Sequence, residues 1–461
     1  MEPWDVTVVG GGILGTSLAH WLADRYEGRI AVIEREPRVA EHTSARNTGV
    51  VHRPFYLDPE RRRMFARCAQ VAYGMWKAYT KERGLPWNQV GTLEVATHDA
   101  GVARLETYAK WGPANGMEPG ELEILTPAEV RRIEPHVRCA GAILAKTDTG
   151  VDFRLLTESL RGDAERAGAT FLMGREVVGV ERKGDLLEVR VRRRAMTPPG
   201  EVLLDPRHRL HLFPEAKEEV HETRFLINAA GGNSINLAHR LRVGLEYTDL
   251  HFRGEYWSVR PEWTFLARRN LYTVPRHPEL PFLDPHWIVR ANGRVEIGPN
   301  AVPVSGPFTY GGFFNDPSEP VRKFFDPPIR NKLALLVNPD FLTLAAEESL
   351  SSVSRRVMAG RVRTFLPELR VAHLGEPGFA GIRASVIDRS GNFIKEAVEL
   401  PGPLSYHVTN YNSPGATGAP AYTAWLVKRL ADAGLLAHLK PRAAGRRGPW
   451  DFELVCGAIG A

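Results

Sequence analysis

The sequence has 461 residues, three cysteines and a formal net charge of +6, and 43% of its residues are hydrophobic. This length predicts two or more domains or one interleaved pair, and this hydrophobic fraction excludes wholesale disorder. No apolar run of 18 residues occurs, which excludes a transmembrane helix, and the N-terminus lacks the basic segment of a secretory signal. Three unclustered cysteines exclude a disulfide framework and a structural zinc site, so we expect no metal and a reducing, cytoplasmic compartment.

The basic excess is small, since 60 Lys and Arg residues are interspersed with 54 Asp and Glu residues. No motif typical of RNA or DNA binding accompanies the charge. We therefore interpret it as a dispersed surface property and expect no nucleic-acid partner. A peripheral contact with an anionic membrane, such as the inner membrane, stays open as an alternative.

The N-terminal residues follow the order strand, glycine turn, helix, strand. Residues 6–9 and 30–33 are short apolar runs, which are typical of buried parallel strands, and residues 16–25 have the apolar spacing of a helix. The same criteria predict helices at residues 64–83, 155–167, 332–344, 345–366 and 419–434, and strands at residues 170–173, 177–181, 186–192, 224–229 and 371–384. A further short helix is predicted to begin after Thr126, which is its candidate N-cap. Residues 246–300 alternate in polarity and indicate antiparallel sheet. We interpret residues 193–221 as a hairpin insertion and the tail from Pro441 as a loosely attached extension.

A glycine motif connects the first strand to the first helix. Gly10, Gly12 and Gly15 have the Gly-x-Gly-x-x-Gly spacing that lets a backbone approach a pyrophosphate at a helix N-terminus. Glu34 ends the second strand, where an acid binds ribose hydroxyls. An acid at this position disfavours the 2′-phosphate of NADP, whereas FAD and NAD both remain.

Later segments carry a resemblance that separates FAD from NAD. Residues 177–181 and the small-residue turn at 228–232 follow the pattern of the D-amino-acid-oxidase-like superfamily of FAD-dependent oxidoreductases. Within it the chain most resembles L-2-hydroxyglutarate dehydrogenases and oxidases, over about residues 4–430. The matching stretches keep the family's order and comprise residues 47–52, 252–256, 271–275, 281–283, His286, 297–301, 380–384, 388–392 and 412–417.

The resemblance implies an α/β (α+β) fold in which a discontinuous Rossmann-like FAD-binding domain is interleaved with an antiparallel-sheet substrate domain. We expect the FAD-binding domain in residues 1–84, 145–245 and 365–435, the substrate domain in residues 85–144 and 246–364, and a C-terminal extension in residues 436–461. The implied reaction is oxidation of a 2-hydroxy acid, L-2-hydroxyglutarate or a relative, to the 2-oxo acid by hydride transfer to flavin N5. The partner is then a small carboxylate, with oxygen, a quinone or an electron-carrier protein as the electron acceptor.

The predicted site residues fall into three groups. His52 and His286 are the candidate bases, because imidazole accepts a proton near neutral pH. Arg383 is the candidate for binding the substrate carboxylate through its planar guanidinium, assisted by Arg253 and Tyr256. The expected FAD-binding residues are Gly10, Gly12, Ile13, Leu14, Gly15, Glu34, Arg35, Ser44, Asn47, Thr48, Val177, Ala230, Gly231, Asn412, Pro414, Gly415 and Thr417.

The sequence also departs from the family pattern. Arg46 stands where the family usually has His, Arg53-Pro54 follows His52, and Asp284-Pro285 precedes His286. An amine or amino-acid oxidase of the glycine or sarcosine oxidase type is therefore kept as an alternative function. The alternative from a different class of function is a flavin-binding module that catalyses no reaction.

Overall fold

We describe the protein from a computed structural model. The structure describes residues 2–193, 218–276, 284–443 apart from 316, 327 and 337, and 448–460. Most of the predicted insertion at 193–221, and the motif at 281–283, lie outside the described residues.

Runs of strands and runs of helices follow one another along the described chain. The strands are β1 Trp4–Val9, β2 Tyr26–Glu27, β3 Ile30–Ile33, β4 Val50–Val51, β5 Thr92–Ala96, β6 Leu122–Leu125, β7 Gly141–Ala145, β8 Thr149–Gly150, β9 Thr170–Leu172, β10 Arg175–Lys183, β11 Leu186–Arg193, β12 Glu218–Asn228, β13 Thr248–Gly254, β14 Trp257–Val259, β15 Asn270–Thr273, β16 His286–Val289, β17 Val295–Gly298, β18 Val302–Val304, β19 Leu374–Pro377, β20 Gly381–Ile387, β21 Val398–Gly402, β22 Ser405–Thr409 and β23 Lys440–Pro441. The helices are α1 Ile13–Arg25, α2 Arg63–Arg83, α3 Asp99–Ala114, α4 Pro127–Ile133, α5 Phe153–Ala167, α6 Ser234–Arg240, α7 Ser318–Phe325, α8 Ile329–Leu336, α9 Pro339–Val353, α10 Arg355–Val362, α11 Gly415–Asp432 and α12 Phe452–Gly460.

The first large sheet has a parallel centre. Its strands lie in the order β9-β3-β1-β12-β22 and run in the same direction, while β10 and β11 extend antiparallel from β12. Val6 and Val8 of β1 are fully buried against α1, α2, α5 and α11, and Val9 packs with Ile33 on the opposite face. Burial of both faces explains the unbroken apolar runs, since each fully buried Val or Ile stabilises the fold by about 1.5–3 kcal/mol.

The structure also contains a second large sheet and a smaller third sheet. The second has the strand order β19-β14-β17-β16-β15-β5-β7-β6, with β15 and β5 as its one parallel pair among the described residues. The third has the order β18-β13-β20 and is antiparallel. Strands of the parallel sheet come before, between and after those of the second sheet in the chain. The predicted α/β architecture is confirmed, whereas the domain boundaries stay predictions.

Local sequence determines where several helices begin and end. Thr126 forms a capping box with Glu129 at the start of α4, as its position predicts. Asp152 accepts hydrogen bonds from the first turn of α5, and α2 ends at Gly84 with a φ of 63°. The predicted helix boundary between residues 344 and 345 is wrong, because α9 runs through it. Pro339 begins that helix and Ser354 ends it, since proline favours the first helical turn.

The expectation of a loosely attached tail is also wrong. Trp450 is 6% exposed and packs with Trp21 and Trp76 of the main core, while Phe452 lies beside Trp21. Strand β23 pairs with β2, and α12 packs against α2 and α11. The tail thus completes the core around α1. None of the helices within the described residues has both the length and the apolar character that spanning a membrane requires.

Candidate active site

One cavity gathers most of the predicted site residues. It opens beyond the carboxyl ends of β1, β3, β12 and β22, where ligands bind in open α/β sheets. Gly15, Arg253 and His286 are the predicted residues that do not line it. Those that do are Gly10, Gly12, Ile13, Leu14, Glu34, Arg35, Ser44, Asn47, Thr48, His52, Val177, Ala230, Gly231, Tyr256, Arg383, Asn412, Pro414, Gly415 and Thr417.

The glycines leave no room for side chains. Gly10 has a φ of +110°, and a Cβ there would lie 2.5 Å from the carbonyl oxygen of Ala229. At Gly15 a Cβ would lie 1.9 Å from the Gly10 carbonyl oxygen. Gly15 therefore allows α1 to pack against the loop, which explains why it does not line the cavity.

The N-terminus of α1 faces the cavity with unsatisfied donors. Ile13 N–H donates to Ser44 Oγ at 2.9 Å, whereas the N–H groups of Gly12 and Leu14 have no acceptor in the described residues. Free N–H groups and the positive end of the helix dipole form a site for a phosphate group. This end of the cavity therefore fits a pyrophosphate.

Glu34 presents its carboxylate next to the glycine loop. Gly11 N–H donates to Glu34 Oε2 at 2.6 Å, and Glu36 N–H donates to Oε1 at 2.8 Å. Burial raises the pKa of Glu34 to about 7, against the lowering effect of these two hydrogen bonds. The side chain lies where a ribose would approach. Val177 lies at an irregularity in the β10–β11 pairing and also lines the cavity.

The opposite end of the cavity lies at the N-terminus of α11. Asn412 donates from its side chain to the carbonyl of Ala384 at 3.0 Å. Thr417 Oγ1 accepts a hydrogen bond from the backbone N–H of His52 at 3.1 Å. Asn47 uses its own side chain to bind the backbone of Ser44 and Gly49. A helix N-terminus here would stabilise negative charge on a flavin ring.

Arg383 is a cation without an acidic partner. It lies on β20 opposite Phe252 of β13, lines the cavity, and forms no ion pair or side-chain hydrogen bond with any described residue. Burial, together with the charge of Arg62, lowers the pKa of Arg383. A partly buried guanidinium that has no carboxylate partner favours an anionic ligand in the cavity.

His52 faces the same cavity and is hydrogen-bonded to Asp148. The distance from His52 Nδ1 to Asp148 Oδ2 is 3.0 Å, and Asp148 is fully buried. The rings of Tyr56 and Tyr272 stand edge-on to the imidazole, each at 84°. Asp148 was not predicted from the sequence, because the contact depends on which residues of two distant segments lie opposite each other.

His286 and Arg253 lie outside the cavity wall. His286 is buried against the ring of Tyr272, with centroids 3.9 Å apart, and burial lowers its pKa to about 3. Arg253 is 3% exposed, and its Nη2 lies 2.8 Å from Glu255 Oε1. The charge of Arg253 is therefore already balanced. Tyr256 lines the cavity, and burial raises its pKa to about 12, so it stays a hydrogen-bond donor at neutral pH.

The described residues contain no group of His, Cys, Asp or Glu side chains arranged to hold a metal ion. Cys68, Cys139 and Cys456 are all free thiols.

Comparison with known proteins identifies the family of the chain. Residues 5–430 match the family described as FAD dependent oxidoreductase, DAO, so the chain belongs to that family. The protein is an FAD-dependent oxidoreductase, and the predictions of the cofactor and superfamily are confirmed.

Its similarity extends to several named relatives. The L-2-hydroxyglutarate dehydrogenase of Homo sapiens is 27% identical over 440 residues, which cover 93% of this chain and 88% of the relative. The enzyme of the same name from Escherichia coli strain K12 is 26% identical, with 93% of each chain covered. Among solved structures, reduced L-alpha-glycerophosphate oxidase from Mycoplasma pneumoniae with FAD bound has a TM-score of 0.69 at 20% identity, covering 98% of this chain and 100% of that one. Glycine oxidase from Geobacillus kaustophilus has a TM-score of 0.64 at 17% identity, covering 96% and 97%. These two structures support the fold.

Proposed function

We propose that the protein oxidises a 2-hydroxy acid, L-2-hydroxyglutarate or a close relative, to the corresponding 2-oxo acid. The observation that carries the proposal is the partly buried, unpaired Arg383 in the same cavity as His52. One residue supplies a cation for a carboxylate and the other an acceptor for a hydroxyl proton. The names of the relatives from Homo sapiens and Escherichia coli support the substrate class.

The residues divide the reaction between them. Arg383 binds the substrate carboxylate through two parallel N–H···O bonds and so orients the carbon that carries the hydroxyl. His52 accepts the hydroxyl proton as the C=O bond forms. Bound FAD supplies the acceptor for the hydrogen that leaves this carbon with its electron pair. The two hydrogens lost by the alcohol are thus accounted for, as a proton on His52 and a hydride.

We assign the base to His52 and place His286 second. His52 lines the cavity and His286 does not. The ring of Tyr272 lies between the two imidazoles, at 5.6 Å from His52 and 3.9 Å from His286. His286 therefore supports Tyr272, which in turn packs against the base. Tyr256 is proposed to donate a hydrogen bond to the bound acid.

The FAD-binding roles follow the two ends of the cavity. Gly10, Gly12, Leu14 and Ser44 are proposed to hold the pyrophosphate, since the N–H groups of Gly12 and Leu14 have no acceptor in the described residues. Glu34 is proposed to bind the ribose, with Val177 beside the adenine. The remaining cavity residues are proposed to line the rest of the FAD site; those near the glycine loop are Ile13, Arg35, Ala230 and Gly231, and those proposed for the flavin end are Asn47, Thr48, Asn412, Pro414, Gly415 and Thr417.

The test is an anaerobic titration of the purified yellow protein. We expect L-2-hydroxyglutarate or another 2-hydroxy acid to bleach the flavin absorbance, and glycine and sarcosine to leave it unchanged. Bleaching by the amines alone would establish the amine-oxidase alternative. A flavin that none of these compounds reduces would instead support a binding module without turnover.

A peripheral membrane contact is proposed on the basis of helix α7. Its Lys323 forms an ion pair with buried Asp249, and Glu319 accepts from Ser305 at 2.6 Å. These polar contacts hold one side of the helix against the protein, so Val321 and Phe325 on the other side are more than half exposed. An outward apolar face is typical of interfacial helices.

Vesicle flotation tests this contact. Wild-type protein is expected to float with vesicles of phosphatidylcholine and phosphatidylglycerol, and the Phe325→Ser variant is expected to float less. Leu454→Ser, at an exposed position of α12, is the control. Wild-type protein that stays at the bottom of the gradient contradicts the contact and favours a purely cytoplasmic location.

The electron acceptor is identified by a separate measurement. The reduced protein is mixed with oxygen, a soluble quinone or a carrier flavoprotein, and the rates at which its flavin is reoxidised are compared.

A further inference from the structure

Short strands β4 and β8 bring His52 opposite Asp148. The two strands are antiparallel, with Val50 opposite Gly150 and Val51 opposite Thr149. Continuing this register by one residue pairs His52 with Asp148. Opposed residues of an antiparallel pair are close enough for their side chains to interact.

Both oxygens of the Asp148 carboxylate are used. Oδ2 lies 3.0 Å from His52 Nδ1, and Oδ1 accepts the backbone N–H of Arg53 at 2.7 Å. Asp148 has no solvent exposure, and its own backbone carbonyl accepts from Gly91 N–H at 3.0 Å. The carboxylate is therefore held in one orientation toward the imidazole.

The hydrogen bond selects one form of the imidazole. A carboxylate can only accept, so Nδ1 of His52 carries the proton and Nε2 keeps its lone pair. Among the described residues, Nε2 has no hydrogen-bond partner. Nε2 is thus the nitrogen left for a ligand in the cavity. After His52 takes a proton, the buried carboxylate lies next to the imidazolium and stabilises it.

We infer that Asp148 is a positioning residue that fixes His52 with Nε2 ready to accept the substrate proton. The inference deepens the proposed function and rests on His52 as its base. It assigns Asp148 no contact with the substrate. Tyr56 and Tyr272 restrict the tilt of the ring, while Asp148 fixes its rotation and its protonated nitrogen.

Asp148→Asn is a sharp test because Arg53 determines how the new amide is oriented. Its oxygen faces the Arg53 N–H, so its NH₂ group faces His52 Nδ1. A donor at that position favours the wrong form of the imidazole, with the proton on Nε2. We expect the rate of anaerobic flavin reduction to fall by about 10²-fold or more, with KM changed by less than about threefold. The acid limb of the pH–rate profile is expected to shift to lower pH, since the imidazolium loses its partner.

Glu94→Gln is the matched control. Glu94 is buried on β5 and interacts electrostatically with Asp148, but it makes no hydrogen bond to His52. This variant is expected to keep the wild-type reduction rate and pH profile. Equal losses in both variants would show a merely structural effect of the buried acids and overturn the inference.

The outcomes separate this inference from the proposed function. A slow His52→Gln variant beside a fast Asp148→Asn variant overturns only the role of Asp148. A fast His52→Gln variant overturns the base assignment and the inference with it. If Asp148→Asn fails to fold, nitrogen-15 NMR of the histidine-labelled wild-type holoenzyme shows which ring nitrogen of His52 carries the proton. The His52 signals are identified as those that are absent from the spectrum of His52→Gln. A proton on Nδ1 supports the inference and a proton on Nε2 overturns it, whatever the substrate proves to be.

Discussion

Buried Arg253 and partly buried Glu255 form an ion pair beside the cavity, with Nη2 of the arginine 2.8 Å from Oε1 of the glutamate. Glu255 Oε2 in addition accepts from Asn300 Nδ2 at 2.8 Å. The charge of Arg253 is thus paired within the protein, whereas Arg383 has no ion-pair partner among the described residues.

Replacing Arg253 should therefore affect stability more than substrate binding. Arg253→Met leaves Glu255 partly buried without its cation, which costs about 1–3 kcal/mol in the free energy of unfolding. Urea unfolding measures the loss, and steady-state kinetics are expected to show a KM close to that of the wild type. A large rise in KM without a loss of stability would instead indicate that Arg253 binds the substrate.

Arg383 should show the opposite behaviour. Arg383→Met removes two charge-assisted hydrogen bonds to the substrate carboxylate, so KM for the 2-hydroxy acid rises by about 100-fold or more. Unfolding stability stays within about 1 kcal/mol or increases, because a partly buried, unpaired cation has been removed. Bound FAD per protein serves as the control. Unchanged KM would remove Arg383 from its proposed role.

Alanine substitution should be harmful at Gly15 and harmless at Gly74. Gly15→Ala places a methyl group against the Gly10 carbonyl, so the variant should bind less FAD, measured by flavin absorbance per protein. Gly74→Ala lies in helix α2 with no atom within 4 Å of the new Cβ, and should stabilise the protein by about 0.5–1 kcal/mol. Equal FAD content in the two variants contradicts the close approach at Gly15.

Glu94 should make stability depend on pH. Burial, reinforced by the charge of Asp148, raises the pKa of Glu94 to about 8. A carboxyl whose pKa is raised on folding stabilises the fold when protonated, and this contribution is lost as pH rises from about 4.5 through 8. Glu94→Gln should therefore gain stability relative to wild type between pH 6 and 9 in urea unfolding. Glu123→Gln, at an exposed acid on β6, should show no such trend.

The C-terminal tail should contribute strongly to stability. The ring of Trp450 lies 5.1 Å from Tyr79 and 5.5 Å from Trp76, and its Nε1 donates to the Met75 carbonyl at 3.2 Å. Trp450→Ala is expected to lower the free energy of unfolding by about 3–5 kcal/mol. Leu454→Ala, at a side chain that is 74% exposed, should change it by less than about 0.5 kcal/mol. Similar effects of the two variants would mean that the tail is not part of the core.

Features encoded within a few residues were predictable from the sequence. The glycine loop and the Thr126 cap depend on neighbours along the chain, and Glu34 follows the end of an apolar strand. The helical spacing of Phe452, Val455, Cys456 and Ile459 carried a signal for the buried tail that the surrounding Arg, Gly and Pro residues obscured.

Features that depend on long-range pairing were not predictable. Strands β4 and β8 have two residues each, too few for a periodic pattern, so their register and the His52–Asp148 contact appear only in the fold. The sequence prediction places Arg253 at the substrate, although Glu255, two residues away, can lie on the same face of an extended segment. Spacing alone does not say whether a charge points to a ligand or to a neighbour.

The cavity is built from segments that are far apart in the chain, since both Gly10 and Thr417 line it. During synthesis the glycine loop leaves the ribosome long before helix α11 exists. A chain that ends before α11 has no enclosed place for the flavin. Strand β1 in addition lacks its hydrogen-bonded neighbour β12 until residues 218–228 have been made. FAD can therefore be fully enclosed only after synthesis has passed helix α11.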